Sequence, residues 1–119
     1  MNKKAYGNRA EFLARLFLRL KGYQILEKNL TCGRGTTAGE VDIIAYHKNT
    51  LVFVEVKRRR KLEQAFYAIS VKQQKRILNA AKFFFAQHSE FQGCDIRFDA
   101  VLIAGFFQIV HIKNAWQET

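Results

Sequence analysis

Apolar positions recur at helical spacing between residues 8 and 21, where Leu13, Leu16, Phe17 and Leu20 form one predicted face. Asn8 stands where an N-cap is expected and Gly22 where a helix stops. Tyr23–Thr31 contains Ile25 and Leu26 and reads as a first strand, followed by a flexible loop over Cys32–Gly39. Glu40–Tyr46 and Leu51–Lys57 are rich in Val, Ile and Phe, and they flank His47-Lys48-Asn49-Thr50, which predicts a hairpin. Arg58–Tyr67 is charged and without period. A second helix follows over residues 70–87, with Ser70 as its N-cap and Ile77, Ala81, Phe84 and Phe85 on its apolar face. Ile96–Ala104 and Phe107–Ile112, on either side of Gly105, complete an order of approximately αβββαββ.

A chain of 119 residues with 49% hydrophobic residues suits a single domain with one core and excludes a disordered tail. The stretch Phe12–Leu20 is interrupted by Arg15 and Arg19, which excludes a membrane span or signal segment and points to the cytoplasm. Cys32 and Cys94 lie far apart, and the histidines at 47, 88 and 111 are scattered, so neither a disulfide framework nor structural zinc is expected. The net charge of +10 directs attention to a polyanionic partner, nucleic acid first.

The candidate chemistry lies on the hairpin. Side chains alternate along a strand, so Glu40 and Asp42 share a face, as do Glu55 and Lys57. A turn centred between Lys48 and Asn49 sets Asp42 opposite Glu55 and Glu40 opposite Lys57, all on the face that also carries Ile44, Tyr46, Leu51 and Phe53. Val41, Ile43, Ala45, Val52, Val54 and Val56 occupy the other face. Carboxylates among apolar strands need compensation, which a divalent cation with hard oxygen ligands, Mg²⁺ or Mn²⁺, supplies. The alternative from spacing alone is a solvated hairpin end with an ordinary Glu40–Lys57 ion pair.

The five consecutive cations Lys57–Lys61 leave this strand where the candidate site lies. Arg58, Arg59, Arg60 and Lys61 are therefore candidate phosphate contacts, against the alternative of a charged loop guarding a sheet edge. Lys72, Arg76 and Asn79 form a polar stripe on the second helix, read first as a solvated face and second as an extension of that surface. Phe84 and Phe85 read as core, His88 and His111 as structural. Arg97 and Asp99 read as partners of neighbouring groups.

GEVDIIA (Gly39–Ala45) followed by LVFVEVKRR (Leu51–Arg59) resembles the YraN family of small bacterial proteins, assigned to the PD-(D/E)XK nuclease-like superfamily. The resemblance extends over KGYQILEKN (Lys21–Asn29) and RFDAVLI (Arg97–Ile103). It implies a restriction-endonuclease-like α/β core, a central mixed sheet flanked by helices, and Mg²⁺- or Mn²⁺-dependent hydrolysis of DNA in recombination or repair. Carried onto this chain, it implies that Asp42 and Glu55 hold the metal, that Lys57 assists the attacking water or the phosphorane, and that Glu40 acts through water. Glu11 matches the helix-borne acid of related nucleases, although pairing with Arg15 at i,i+4 is equally open. Two departures stand out: Gln73 occupies a position that is often Lys, and the junction CGRGTTAG (Cys32–Gly39) is lengthened. The alternatives are a non-catalytic nucleic-acid-binding module and an accessory protein of a DNA-processing complex. A homodimer through a C-terminal strand is left open.

Overall fold

The computed structural model describes residues 3–106 and 108–117. Helix α1 (Lys3–Leu20) leads into strands β1 (Gln24–Cys32), β2 (Gly39–His47) and β3 (Thr50–Arg59). Helices α2 (Leu62–Phe66) and α3 (Val71–Gln87) follow, then strands β4 (Asp95–Ala104) and β5 (Gln108–Ile112). The sheet order is β1-β2-β3-β4-β5. Among the described residues only β3 and β4 run parallel, joined by the crossover that carries α2 and α3. This is the α/β class expected, a mixed sheet with helices on both faces, and it is consistent with a restriction-endonuclease-like core.

Local chemistry explains most boundaries. α1 begins at Lys3, ahead of the expected cap at Asn8, and stops where Gly22 takes φ +93°. Around that stop, the Tyr23 N–H donates to the Leu18 carbonyl. The expected face of α1 is corrected. Ala10, Ala14 and Leu18 are buried with Leu13 half-buried beside them, whereas Leu16 and Leu20 point outward. Two alanines at i,i+4 let the helix axis lie close to the sheet, which leaves no room for the larger residues on that side.

The hairpin turn is a two-residue one, with Lys48 at φ +48° and Asn49 at φ +60°. Both central residues are left-handed, as a primed turn between twisted strands requires. Pairs run from His47↔Thr50 to Ile43↔Val54, the expected register. α3 starts at the expected cap, where the Ser70 Oγ accepts from the Gln73 N–H at 3.1 Å. Within the charged stretch after the hairpin, where no period predicts an element, β3 continues to Arg59 and α2 then forms. β5 begins at Gln108; the expected start at Phe107 lies outside the described residues.

The sheet separates two apolar layers. On one face, Ile43, Ala45, Val52, Val54, Val56, Val101 and Ile103 pack under α1. On the other, Ile44, Leu51, Phe53 and Phe98 pack under Ile77, Ala80, Ala81 and Phe84 of α3, and Ala100 and Leu102 continue that face beneath Ala65 of α2. Phe84 and Phe85 are thus core, as expected. The expected loop from Cys32 to Gly39 is tied to α3. It contains a 3-10 turn, Gly35–Thr37, and the Asn79 amide of α3 donates to the carbonyls of Thr36 at 3.2 Å and Ala38 at 2.9 Å. Gly39 is required there by close approach, since a Cβ would stand 2.6 Å from the Ala80 nitrogen.

A carboxylate fork between strands two and three

At the end of the hairpin away from its turn, β2 and β3 part. Their ladder runs no further than Ile43↔Val54, while β2 stays paired with β1 through Leu30↔Val41 and Thr31↔Glu40. Val41 packs with the α3-side cluster rather than beside Ile43, so the alternation of β2 breaks at Asp42 and the expected placement of Val41 is corrected. In this gap the Asp42 side chain takes the place of a backbone rung: its Oδ2 accepts from the Val56 N–H at 2.8 Å.

Glu55, almost fully buried, hydrogen bonds to the Asp42 carboxyl from β3. Glu11, half-buried on α1, bonds to Asp42 from the helix side. Burial pushes the Asp42 pKa up to about 8, Glu55 adds to the rise, and the Val56 N–H and Glu11 bonds oppose it. Burial likewise pushes Glu11 up to about 7, helped by Asp42 and opposed by Asn29 and Arg15. Three carboxyls thus converge on one place, with Asp42 as the common member. Among the described residues no three acidic, His or Cys side chains are spaced as a preformed metal cluster.

Asn29 is the residue that sequence reasoning passed over. It lies in β1 between Lys28↔Ile43 and Leu30↔Val41, opposite Asp42, and adopts φ +53°. With its amide nitrogen turned toward α1, it donates to both Glu11 oxygens at 3.2 and 3.1 Å. A left-handed residue inside a strand is a strained placement of the kind that accumulates at functional sites, and Asn tolerates it better than most. The available signal was an Asn, a poor strand former, within an otherwise strand-like run.

The other candidates are distributed as follows. Lys57 is half-buried, two residues beyond Glu55 on the same face of β3. Glu40 is exposed and pairs toward Thr31 of β1, and no ion pair joins it to Lys57 among the described residues. The opening of the strands carries Glu40 away, which corrects its expected place opposite Lys57. Gln73 is half-buried in the first turn of α3, with its backbone N–H on Ser70; none of the described hydrogen bonds brings its side chain to the fork. The Arg58 Nη2 donates to the Gly105 carbonyl at 3.1 Å and the Arg59 Nη1 to the Arg58 carbonyl at 2.7 Å. Arg59, Arg60 and Lys61 are exposed, as is Lys72, while Arg76 is half-buried. Asn79 is committed to the loop preceding β2 rather than to a polar surface stripe.

A second buried acid lies on the α1 face. Asp99, fully buried, accepts from Arg97 Nε and Nη2, both at 2.8 Å, and from the Asn114 N–H at 2.9 Å, and it is joined to His111 Nε2 at 2.7 Å. Arg97 Nη2 also reaches the Tyr23 hydroxyl at 2.7 Å, and His111 Nδ1 lies 2.7 Å from Lys21 Nζ. Arg97 pairs with Asp99 itself, rather than only with neighbours as expected. His88 bonds to Glu90 at 2.8 Å and stacks on Phe84.

A profile of the Uncharacterised protein family UPF0102 matches residues 10–103. A UPF0102 protein of Paramagnetospirillum magneticum is 48% identical over 111 residues, covering 93% of this chain and 86% of its own. Relatives from Nitrobacter winogradskyi and Ehrlichia ruminantium are 46% and 42% identical, covering 82% and 94% of this chain and 80% and 84% of theirs. No described helix is long and apolar enough to cross a membrane.

Proposed function

Because the chain belongs to the UPF0102 (YraN) family, whose description names no reaction, we propose from the site itself that it is a metal-dependent DNA endonuclease of the PD-(D/E)XK type. The observation that carries this reading is the fork: two carboxylates, Asp42 and Glu55, forced together inside the sheet with Lys57 next on the strand. Acids crowded together at a largely enclosed site are poorly compensated, and the hard oxygens of Asp42 and Glu55 fit Mg²⁺ or Mn²⁺. Once bound, such an ion lowers the pKa of a water and polarises the scissile phosphate.

The chain's own groups have separate tasks. The Val56 N–H fixes the Asp42 carboxyl through Oδ2, and Asp42 and Glu55 would hold the cation. The Lys57 ammonium supplies a positive charge where a phosphorane gains negative charge. Asn29 restrains Glu11 at the edge of the fork. Arg59, Arg60 and Lys61, exposed where β3 ends, offer charge to the phosphate backbone of DNA.

The test is cleavage of plasmid, linear and single-stranded DNA with Mn²⁺, Mg²⁺ or EDTA by wild type, Asp42→Asn, Glu55→Gln and Lys57→Ala. Each substitution is expected to lower the rate by on the order of 10²-fold or more. Cleavage that survives all three sinks the assignment. The exposed cations Arg59, Arg60 and Lys61 favour a second reading, a nucleic-acid-binding module that does not cut. Metal-independent DNA binding with no cleavage under any condition selects it, whereas neither binding nor cleavage points to an accessory protein.

A further inference from the structure

β3 and β4 are parallel and in register, with Glu55 beside Ala100 and Lys57 beside Leu102. Side chains paired in this way project from the same face of a sheet, with neighbouring strands about 4.8 Å apart. Ala100 and Leu102 form the floor of a cavity of about 230 Å³ that opens under α2. Its rim carries Phe66 and Tyr67, which are 51% and 74% exposed and meet edge to face with ring centroids 5.1 Å apart. Gln74 and Trp116 line the wall, and the Trp116 indole N–H has no hydrogen-bond partner among the described residues.

Phe66 and Tyr67, two of several exposed large apolar side chains, stand at a cavity whose floor lies one strand away from the carboxylate fork. The residues immediately before α2 are the exposed cations Arg59, Arg60 and Lys61. In sequence these cations directly precede the helix that ends at Phe66, and exposed cations of this kind suit the phosphates of a nucleic acid. The volume is below the roughly 300–1,000 Å³ of drug-sized sites, so it suits one flat ring system rather than a whole nucleotide. Aromatic faces stack on any base, and Gln74 can both donate to and accept from a base edge.

We propose that this cavity receives an unpaired nucleobase, so that the fork acts on nucleic acid with a single-stranded segment. This rests on the nuclease reading for its purpose but not for its test, which measures binding in EDTA. The probes are three oligonucleotides of equal length: a single strand carrying 2-aminopurine, its full duplex, and a single strand with an abasic stretch.

Wild type is expected to bind the base-bearing single strand more tightly than the abasic one, with a change in 2-aminopurine emission. Phe66→Ala and Tyr67→Ala are each expected to weaken single-strand binding by at least about 5-fold, the lower end of what stacking one base contributes, while duplex binding is unchanged. Tyr67→Phe keeps the ring and is expected to restore binding. Both residues are exposed, so the variants are expected to melt close to wild type. Equal affinity for abasic and base-bearing strands, or unchanged single-strand binding in both alanine variants, overturns the base cavity while leaving the nuclease reading intact. Failure of wild type to bind any of the three overturns both. Cleavage failing while the base dependence holds overturns only the nuclease reading.

Discussion

Asp42 and Asp99 lie on strands separated only by β3, the first half-buried and the second fully buried, yet their surroundings treat them in opposite ways. Asp99 has a bidentate guanidinium, an imidazole and a backbone amide around it. Burial works against its charge, but the His111, Arg97 and Asn114 bonds together hold its pKa below the ordinary value. The Arg97 guanidinium is in turn held more firmly protonated, mainly by Asp99. Asp42 has one backbone amide and two further acids. A saturated acid organises a core; an acid with unmet demand is placed to receive a cation. The contrast separates a saturated carboxylate from the one proposed to hold a cation, without appeal to either residue's identity.

The largest expected effect attacks the saturated side. Asp99→Ala leaves a guanidinium in a partly dry site without its partner, and a loss of about 3–5 kcal/mol of stability is expected by urea unfolding. Asp42→Asn removes one of three crowded acids and is expected to leave metal-free stability unchanged or raised. If the two variants lose stability equally, the distinction between the sites is broken.

The next effect is the metal response. At pH 8, Mn²⁺ at 100 times its Kd is expected to stabilise wild type by about 2.7 kcal/mol, read as a higher Tm, and to leave Asp42→Asn unmoved. The gain is expected to shrink toward pH 6, because Asp42 and Glu11, with pKa values raised to about 8 and about 7, must first release protons. In the metal-free protein the signs are opposite at the two sites. The raised carboxyls contribute stability that is full below their unfolded pKa of roughly 4 and is lost as pH rises to 7–8. The depressed Asp99 contributes stability that is full above its unfolded value and is lost in acid as pH falls through its folded pKa. A metal-free melting profile that rises steadily from pH 4 to 8 sinks the fork's part of this account.

The smallest effect concerns Asn29. Asn29→Ala removes the donor to Glu11 and keeps an unfavourable φ, at an expected cost of about 1–2 kcal/mol, whereas Asn29→Gly relaxes the backbone and loses less. Both are expected to raise the Glu11 titration midpoint, measured by carboxyl NMR, since Asn29 holds it down. An unmoved midpoint removes Asn29 from the site.

What could be read from the chain follows from how local each determinant is. Lys48 and Asn49 specify the turn, and the turn specifies the register, so the meeting of Asp42 with Glu55 was legible from a few residues. The break at Val41 was not, because it depends on β1 holding the start of β2 while β3 turns away toward β4. The α1 face was misread because hydrophobicity selects Leu16 and Leu20, while close docking selects Ala10 and Ala14. Glu40 was misplaced for the same reason as Val41. The Asp99 network joins Lys21 to His111, 90 positions apart in sequence, and no spacing rule reaches that far. α2 went unseen since five residues inside a basic stretch show no period.

Where β2 and β3 separate, the Val56 N–H is protected by a side chain instead of a neighbouring strand. That amide is therefore a reporter built into the backbone. Its chemical shift and exchange rate follow the charge on Asp42 directly, so a single resonance in a proton–nitrogen spectrum registers protonation, cation binding or displacement of the carboxylate before any substrate is turned over.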